Sequence, residues 1–421
     1  MTDTLRIYPT TSTFALSASV SVVTFRETSR AAITGAAVVH TVKGSDGKQG
    51  NVTVETDINN TTTAVAAAAA AGIGALAGGV AVAVNKADIQ TYIGQGVTVV
   101  ADGTVSVRNT SDITARTYLV GASFGGISLT ICAAVTNLKP VIFTFIGTAP
   151  EGCNAVRTTA ATNGEIQAKN LSVDNDVTSN ATSFVLSISG GIVGMAGNVL
   201  VVLNNTKSVA CVGNMKITLS EDVWVQSVNE SASSSVMSSL VAGAIAIGTT
   251  VSVVKLGYEN VAQITGSNIT ARNLYVKTSR EITAENGSNS SEKKSSALAK
   301  AFTVSGALGA VAVGVNVAVA DNKEKNIAQI TGNGNLVLTG NMQVKASLDA
   351  KADARMYGLN VAAFNVAVGV VRAYNRAENQ AMAEAGSAEA ASASVTAEAG
   401  QDTTIPKKAD RTGVWLIVGR A

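Results

Sequence analysis

With 421 residues, 46% of them hydrophobic but only 4% aromatic and 14% charged, the chain must build its core from Ala, Val, Ile and Gly in place of Leu and Phe. A net charge of +2, from 31 basic and 29 acidic residues spread along the sequence, excludes the basic footprint of a nucleic-acid binder or of a protein held on an anionic bilayer. One histidine excludes a His-metal cluster, and three widely spaced cysteines exclude a disulfide framework or a zinc site.

The chain opens MTDTLRIYPTTSTF, which lacks the basic-then-apolar order of a signal peptide. That leaves a cytoplasmic protein or a segment of a larger one, and the repeats that follow favour the segment. The first repeat is SVSVVTFRETSRAAITG, closing on Gly35. Five relatives come after it: VAVAVNKADIQTYIG, AAVTNLKPVIFTFIG, VLVVLNNTKSVACVG, VSVVKLGYENVAQITG and VNVAVADNKEKNIAQITG. Their closing glycines are Gly94, Gly147, Gly213, Gly266 and Gly332, at intervals of 59, 53, 66, 53 and 66 by subtraction. A period near sixty residues signals a repeat architecture. A truncated seventh copy is NVAVGVVRAYNRAENQAMAEAG.

After most closing glycines comes a second alternating piece, such as VTVVADGTVSV with its DG turn signal, then a polar Ser/Asn/Asp patch, then an Ala/Gly-rich run. Alternation with a period of two marks strands, and helical spacing is absent from VSVRN, VKASLDAKADA and ITLSEDVWV. Asn85, Asn137, Asn204 and Asn322 fall at or just after the ends of alternating runs, where Asn suits a turn and stacked amides can form ladders.

The run from Thr63 to Asn85 is long and uncharged enough to suggest a membrane helix, and five later runs invite the same reading as a six-helix transporter. Its Ala/Gly bias makes insertion marginal, no aromatic belt flanks it, and the connections carry the same small β-unit each time. A membrane β-barrel would need aromatic girdles that seven Tyr, eight Phe and two Trp do not supply. The expected fold is therefore all-β: a parallel β-solenoid of about six imperfect repeats, with the uncharged runs as inner walls. At ~4.8 Å per rung and roughly 20 to 30 residues per rung, the expectation is on the order of 14 to 20 rungs in a rod of about 70 to 100 Å, two or three coils to each repeat. The repetitive body spans 1–385, and 386–421 is a degenerate repeat or capping segment in which TGVWLIVGRA covers the last rung after a polar PKKADR break.

No catalytic, cofactor-binding or metal-ligating residue is assigned, and no cofactor is expected. His40 reads as a solvated loop residue and Cys132, Cys153 and Cys211 as buried small residues. Asp174 and Asp176, in VDND, could suggest calcium but fit a turn better, since no nonapeptide series surrounds them. GIGALAGG lacks the lysine and the flanking unit of a nucleotide loop and reads as part of a small-residue wall. Lys293 and Lys294, and Lys325, read as exposed charged turns that discourage lateral sheet growth. Trp224 and Tyr275 occupy strands where an aromatic column could stack on sugars, with packing as the default. The sequons at Asn109 and Asn268 reflect Asn/Ser/Thr-rich turns.

GVAVAVNKADIQTYIGQGVTVVADGTVSV and its relatives resemble the Ala/Gly/Val-rich repeats of giant bacterial surface and exported proteins, the filamentous-haemagglutinin-like and leukotoxin-like adhesins, over roughly Ser17 to Ala385. The resemblance implies a long β-solenoid shaft, secreted or on the cell surface, structural and adhesive and not catalytic. The partners it implies are host or neighbouring-cell surface ligands or glycans, together with end-to-end or lateral self-association. Neither nucleic acid nor membrane insertion is expected. The enzyme alternative is a polysaccharide lyase or hydrolase on a β-helix, which requires a groove with several Asp, Lys or Arg on neighbouring rungs. The lesser alternative is a polytopic membrane protein.

Overall fold

The computed structural model describes residues 12–45, 47, 49–154, 164–283, 290–404 and 412–420, with the side chains of 281–291 and 401–420 left aside. The opening segment up to residue 11 and the PKKADR break lie outside them. Among the described residues every regular element is a strand and no helix occurs. The fold is an all-β parallel solenoid, as expected, and the uncharged runs of the described residues are strands and not the helices of the lesser, helical-transporter alternative.

The register corrects the expected number of coils. Gly72 stands on Ser12, Val105 on Val52, Asn170 on Thr104, Val223 on Leu171, Ser296 on Glu230 and Leu348 on Ser295. The offsets are 60, 53, 66, 52, 66 and 53 by subtraction, so one repeat is one rung, not two or three coils. About seven rungs at ~4.8 Å make a stack on the order of 30 Å high, in place of a 70 to 100 Å rod.

Each rung spends its sixty residues on length. A short base strand, such as Glu165–Ala168, leads into a long run, here Asn170–Asn204, and a closing strand, here Lys207–Gly213. The long run travels outward, reverses, and comes back against itself. Side-chain bonds across the gap locate the reversal: Thr117 to Thr136 at 2.9 Å and Ser123 to Thr130 at 2.8 Å in one rung, Asn198 to Ser187 at 2.6 Å in the next, Ser235 to Ser252 at 2.6 Å after that. These pairs centre on Gly126, Ile192 and Gly243. The polar patches expected as turns are thus the start of the outbound arm. Their Ser, Thr and Asn side chains point inward and find partners across the core, so the strand continues where the composition suggested a break.

The stack is a triangular base carrying a long, two-walled blade. The base packs Val52, Val54, Val97, Val99, Ile93 and their counterparts in each rung into one large aliphatic cluster. Toward the tip the interior shrinks to Ala68, Ala70, Ala75 and Ala77, and to Ala196, Ala246, Ala307 and Ala312 around Val241, because the two sheets converge there. The closing glycines mark the base corner: Gly35, Gly147, Gly266 and Gly332 have positive φ, while after Gly94 and Gly213 the left-handed residues are Gly96 and Asn214. Beyond Ala385, Ser387–Glu389 and Ser392–Thr404 still pair in parallel with the rung before them, and Thr412–Arg420 lies antiparallel along Phe364–Arg372 on the last return arm.

The expected amide ladder exists with different members. Asn109 donates to Asn175 at 2.8 Å, and Asn260 to Asn326 at 2.9 Å, which donates to Asn379 at 2.7 Å. Asn85 and Asn204 instead bond within their own rung, to Asn60 and Thr62 and to Ser179. Asn322 donates to the carbonyls of Ala297 in its own rung and Lys351 in the next. Leu138, not Asn137, occupies that corner column.

Candidate functional site

Two outward surfaces concentrate chemistry. The first is a charged column on the outbound sheet near the base, where Glu55, Arg108, Asp174, Gln226, Lys277 and Lys345 occupy the same position in six consecutive rungs. One step toward the base, Trp224 and Tyr275 stack with ring centroids 3.9 Å apart, and the Lys277 ammonium lies 5.3 and 5.0 Å from the two centroids. The rings form a two-member column with a cation over it, a geometry worth more than simple packing.

An inserted hairpin covers this column. Lys277 lies 51 residues beyond Gln226, but Ser296 lies 66 beyond Glu230, so this rung carries 15 extra residues. They fold back as Ser279–Thr283 paired antiparallel with Ser290–Lys294. Arg280 reaches Asp174 at 3.3 Å and Asp176 at 3.6 Å, and Lys293 reaches Asp176 at 2.8 Å and Glu230 at 3.4 Å. Lys345 bridges Glu292 at 3.0 Å and Glu398 at 3.3 Å, and Lys294 meets Glu398 at 3.6 Å. The clasp therefore joins side chains from five successive rungs.

Burial raises the Asp174 carboxyl, although Arg280 and Arg108 pull it the other way. Its Oδ1 is buried without a hydrogen-bond partner. Burial would depress the Lys293 ammonium, but Asp176 and Glu230 outweigh it and hold the group charged above its ordinary range. Asp174 and Asp176 are thus strand residues that fasten the hairpin, not a turn. Lys293 and Lys294 are engaged in the same clasp in place of the free turn expected, whereas Lys325 is exposed and 4.0 Å from Glu378. Asp176→Ala removes one contact to each hairpin strand, to Arg280 and to Lys293, and is expected to lower stability by about 1–3 kcal/mol. Limited proteolysis should then cut first between 279 and 294; an unchanged cleavage pattern would refute the clasp.

The second surface is the outside of the blade. The uncharged runs were expected to be inner walls, and only every second residue is. Ala75, Ala77, Ala81 and Ala83 face in, while Leu76 and Val80 are exposed. Ile127, Ile131, Ile192, Val199, Ile245 and Ile247 continue that exposed set on the return sheet. Phe124, Val120, Leu240, Leu308, Leu359 and Val361 line the outbound sheet. Most of the larger aliphatics near the tip point outward because the gap narrows there; Leu119, Val185, Leu200, Met237 and Val241 are the large side chains it still holds.

The remaining sequence candidates are dispersed. His40 is exposed on the base strand Val38–Thr41 and not in a loop. Cys132 lies between the walls, its thiol pushed up to about 11 by burial, and Cys211 lies beneath a surface loop, pushed up to about 12 by burial. Cys153 is half-buried in that loop. Asn109 is fully buried and amide-bonded, so its sequon presents no side chain to a modifying enzyme, whereas Asn268 is exposed. Among the described residues no three His, Cys, Asp or Glu side chains gather as a metal-binding group. Arg108, Glu230, Lys277, Arg280, Lys345 and Glu398 were missed by sequence reading because the rungs that bring them together lie 51 to 68 residues apart along the chain. Only the repeat position shared by Arg108, Lys277 and Lys345 signals the column, and Arg280 belongs to the insertion. No protein-family model, curated protein or solved structure matches the chain.

Proposed function

We propose that the chain is a structural and adhesive segment of a secreted or cell-surface bacterial protein, non-catalytic and without a cofactor. The observation that carries this reading is the rung-locked repetition of outward positions. Each outward strand position recurs at ~4.8 Å spacing up the wall, which suits many weak contacts with a cell-surface ligand or glycan. The stacked Trp224 and Tyr275 rings, half-exposed beside the hairpin with the buried Lys277 behind them, are the part of the wall best equipped to stack on a sugar ring.

The polysaccharide-acting alternative draws on one specific observation, the acidic and basic side chains aligned on neighbouring rungs. Against it, the carboxylates on and beside that column, Asp174, Asp176 and Glu292, are engaged by Arg280, Lys293 and Lys345, and the hairpin lies where a sugar chain would have to enter. The two readings separate in one experiment. Purified chain displayed multivalently on beads is expected to bind a cell type or glycan class, with at least tenfold loss for Trp224→Ala and Tyr275→Ala together. Release of unsaturated or reducing ends from polysaccharides, abolished by Asp174→Asn, would overturn the adhesive reading in favour of the enzyme.

A further inference from the structure

The return wall of the blade is a flat aliphatic lattice with an area and composition that call for a cover. Its outward columns run Leu76, Leu129, Met195, Ile247, Val313, Val366; then Gly78, Ile131, Gly197, Thr249, Val315, Val368; then Val80, Ala133, Val199, Val251, Val317, Val370. The first strand extends the lattice by one rung with Leu16, Val20 and Val22, exposed at 73%, 66% and 62%. Within this field there is no charged side chain. Charge returns only at the wall's margin, at Lys86, Lys139, Lys255, Asp321 and Arg372.

We propose that this wall is the interface with a second copy of the same chain, joined face to face. With the flanking columns that begin at Gly74 and at Val82, outward positions about 6.7 Å apart along five columns, and rungs ~4.8 Å apart, give roughly 30 Å by 30 Å, or about 900 Å² per copy. Two copies would bury on the order of 1,800 Å², above the ~1,600 Å² of a standard stable interface. A lattice of β-branched side chains with a fixed period is complementary to itself, since the ridges of one copy fit the rows of the other at the ~10 Å spacing of packed sheets. It offers no charge to choose an oppositely charged partner. Lipid is the poorer occupant, because a bilayer tolerates only sheets without open edges. Here, among the described residues, Ser12–Ile33 and the outbound half of Val52–Gly94 pair with a strand on one side only. Two backbone N–H groups on that open half, of Ala67 and Ala69, are met by the Ser19 and Ser17 hydroxyls and not by a strand.

The wall, not the aromatic group at the base, carries this proposal, so it stands or falls apart from the adhesive reading. The test is the solution mass of the full chain by light scattering after size exclusion, with and without Val199→Lys and Val317→Lys combined. The unmodified chain is expected at about twice its 42.5 kDa and the variant at 42.5 kDa, with an unchanged β circular dichroism spectrum. Val120→Lys, on the opposite wall, keeps the dimer mass and separates face-specific loss from general disturbance. A monomer at tens of micromolar for the unmodified chain, a dimer that survives both wall charges, or flotation of the unmodified chain with phosphatidylcholine vesicles would each overturn the proposal.

Discussion

Glu324→Gln is expected to raise the melting temperature at pH 9 and to remove a loss of stability that the unmodified chain suffers between pH 5 and pH 8. Glu324 faces inward at the corner of the fifth full rung, 1% exposed, directly on Tyr258. Neither carboxylate oxygen has a hydrogen-bond partner of good geometry, nor has the Tyr258 hydroxyl or the Asn322 Oδ1. Two rungs earlier the same two positions hold Asn204 and Thr206, and there the hydroxyl donates to the amide oxygen at 2.7 Å. In Glu324 a carboxylate replaces that hydroxyl, so two acceptors face a place built for a donor and an acceptor. Burial pushes the carboxyl up to about 8, its own backbone N–H offsets part of this, and the charge of Asp321 adds to it. Below an ordinary value of 4.5 the group is protonated folded or unfolded, and the ionisation penalty is absent. Between 4.5 and 8 only the folded chain holds the proton, so stability falls as pH rises, by about 1.4 kcal/mol per pH unit and on the order of 5 kcal/mol in all. Above 8 the penalty is complete and constant. Gln stays neutral and its amide can donate to Asn322. Urea unfolding at pH 5, 7 and 9 checks this; parallel pH curves for the two chains would refute it.

The strand content and the repeat were legible because alternation and the closing glycines are local signals. SVSVV, VAVAV and VNVAVA alternate with the period of strands, and Gly147 is fixed by its left-handed φ at the base corner. The coil count was not legible, since a rung of twenty to thirty residues and a rung of sixty are built from the same strands. What distinguishes them is whether patches such as DNDVTSNATS turn or continue. Cross-core partners decide that, and Asn175 meets Ser208 only after a detour of 33 residues. Nor was the facing of the blade legible. In VAVAVN both sets of alternating side chains are apolar, so hydropathy cannot say which is inside. The gap between two sheets decides, and it selects Ala over Val at Ala81 and Ala83. The clasp was hidden for a different reason. Asp174 and Asp176 look like an isolated acidic turn until the register brings Arg108 beside Asp174 and the insertion brings Arg280 and Lys293 over both.

Two glycine substitutions six residues apart should move stability in opposite directions, the larger effect coming from the blade's tip. Gly72, Gly125, Gly191, Gly243 and Gly309 stack in one column where the chain reverses. A Cβ on Gly191 would lie against the Gly125 carbonyl oxygen, far inside van der Waals contact, and Gly125, Gly243 and Gly309 meet the carbonyl of the rung below in the same way. The obstacle is backbone on both sides, held by inter-rung hydrogen bonds, so it cannot step aside as a side-chain end would. Gly191→Val must therefore spread two central rungs at the tip, and is expected to cost about 3 kcal/mol or more from overpacking and lost ladder bonds together. The column ends at Ala362 on Gly309, where no further described rung is stacked above, so a methyl can shift outward. Gly197 sits in the same long run, but a Cβ there meets nothing within 4 Å. Gly197→Ala removes the conformational freedom that Gly gives the unfolded chain, and is expected to stabilise by about 0.5–1 kcal/mol. Denaturant midpoints of the two variants test the geometry directly: if Gly191→Val is as stable as the unmodified chain, the walls do not meet in this narrow turn.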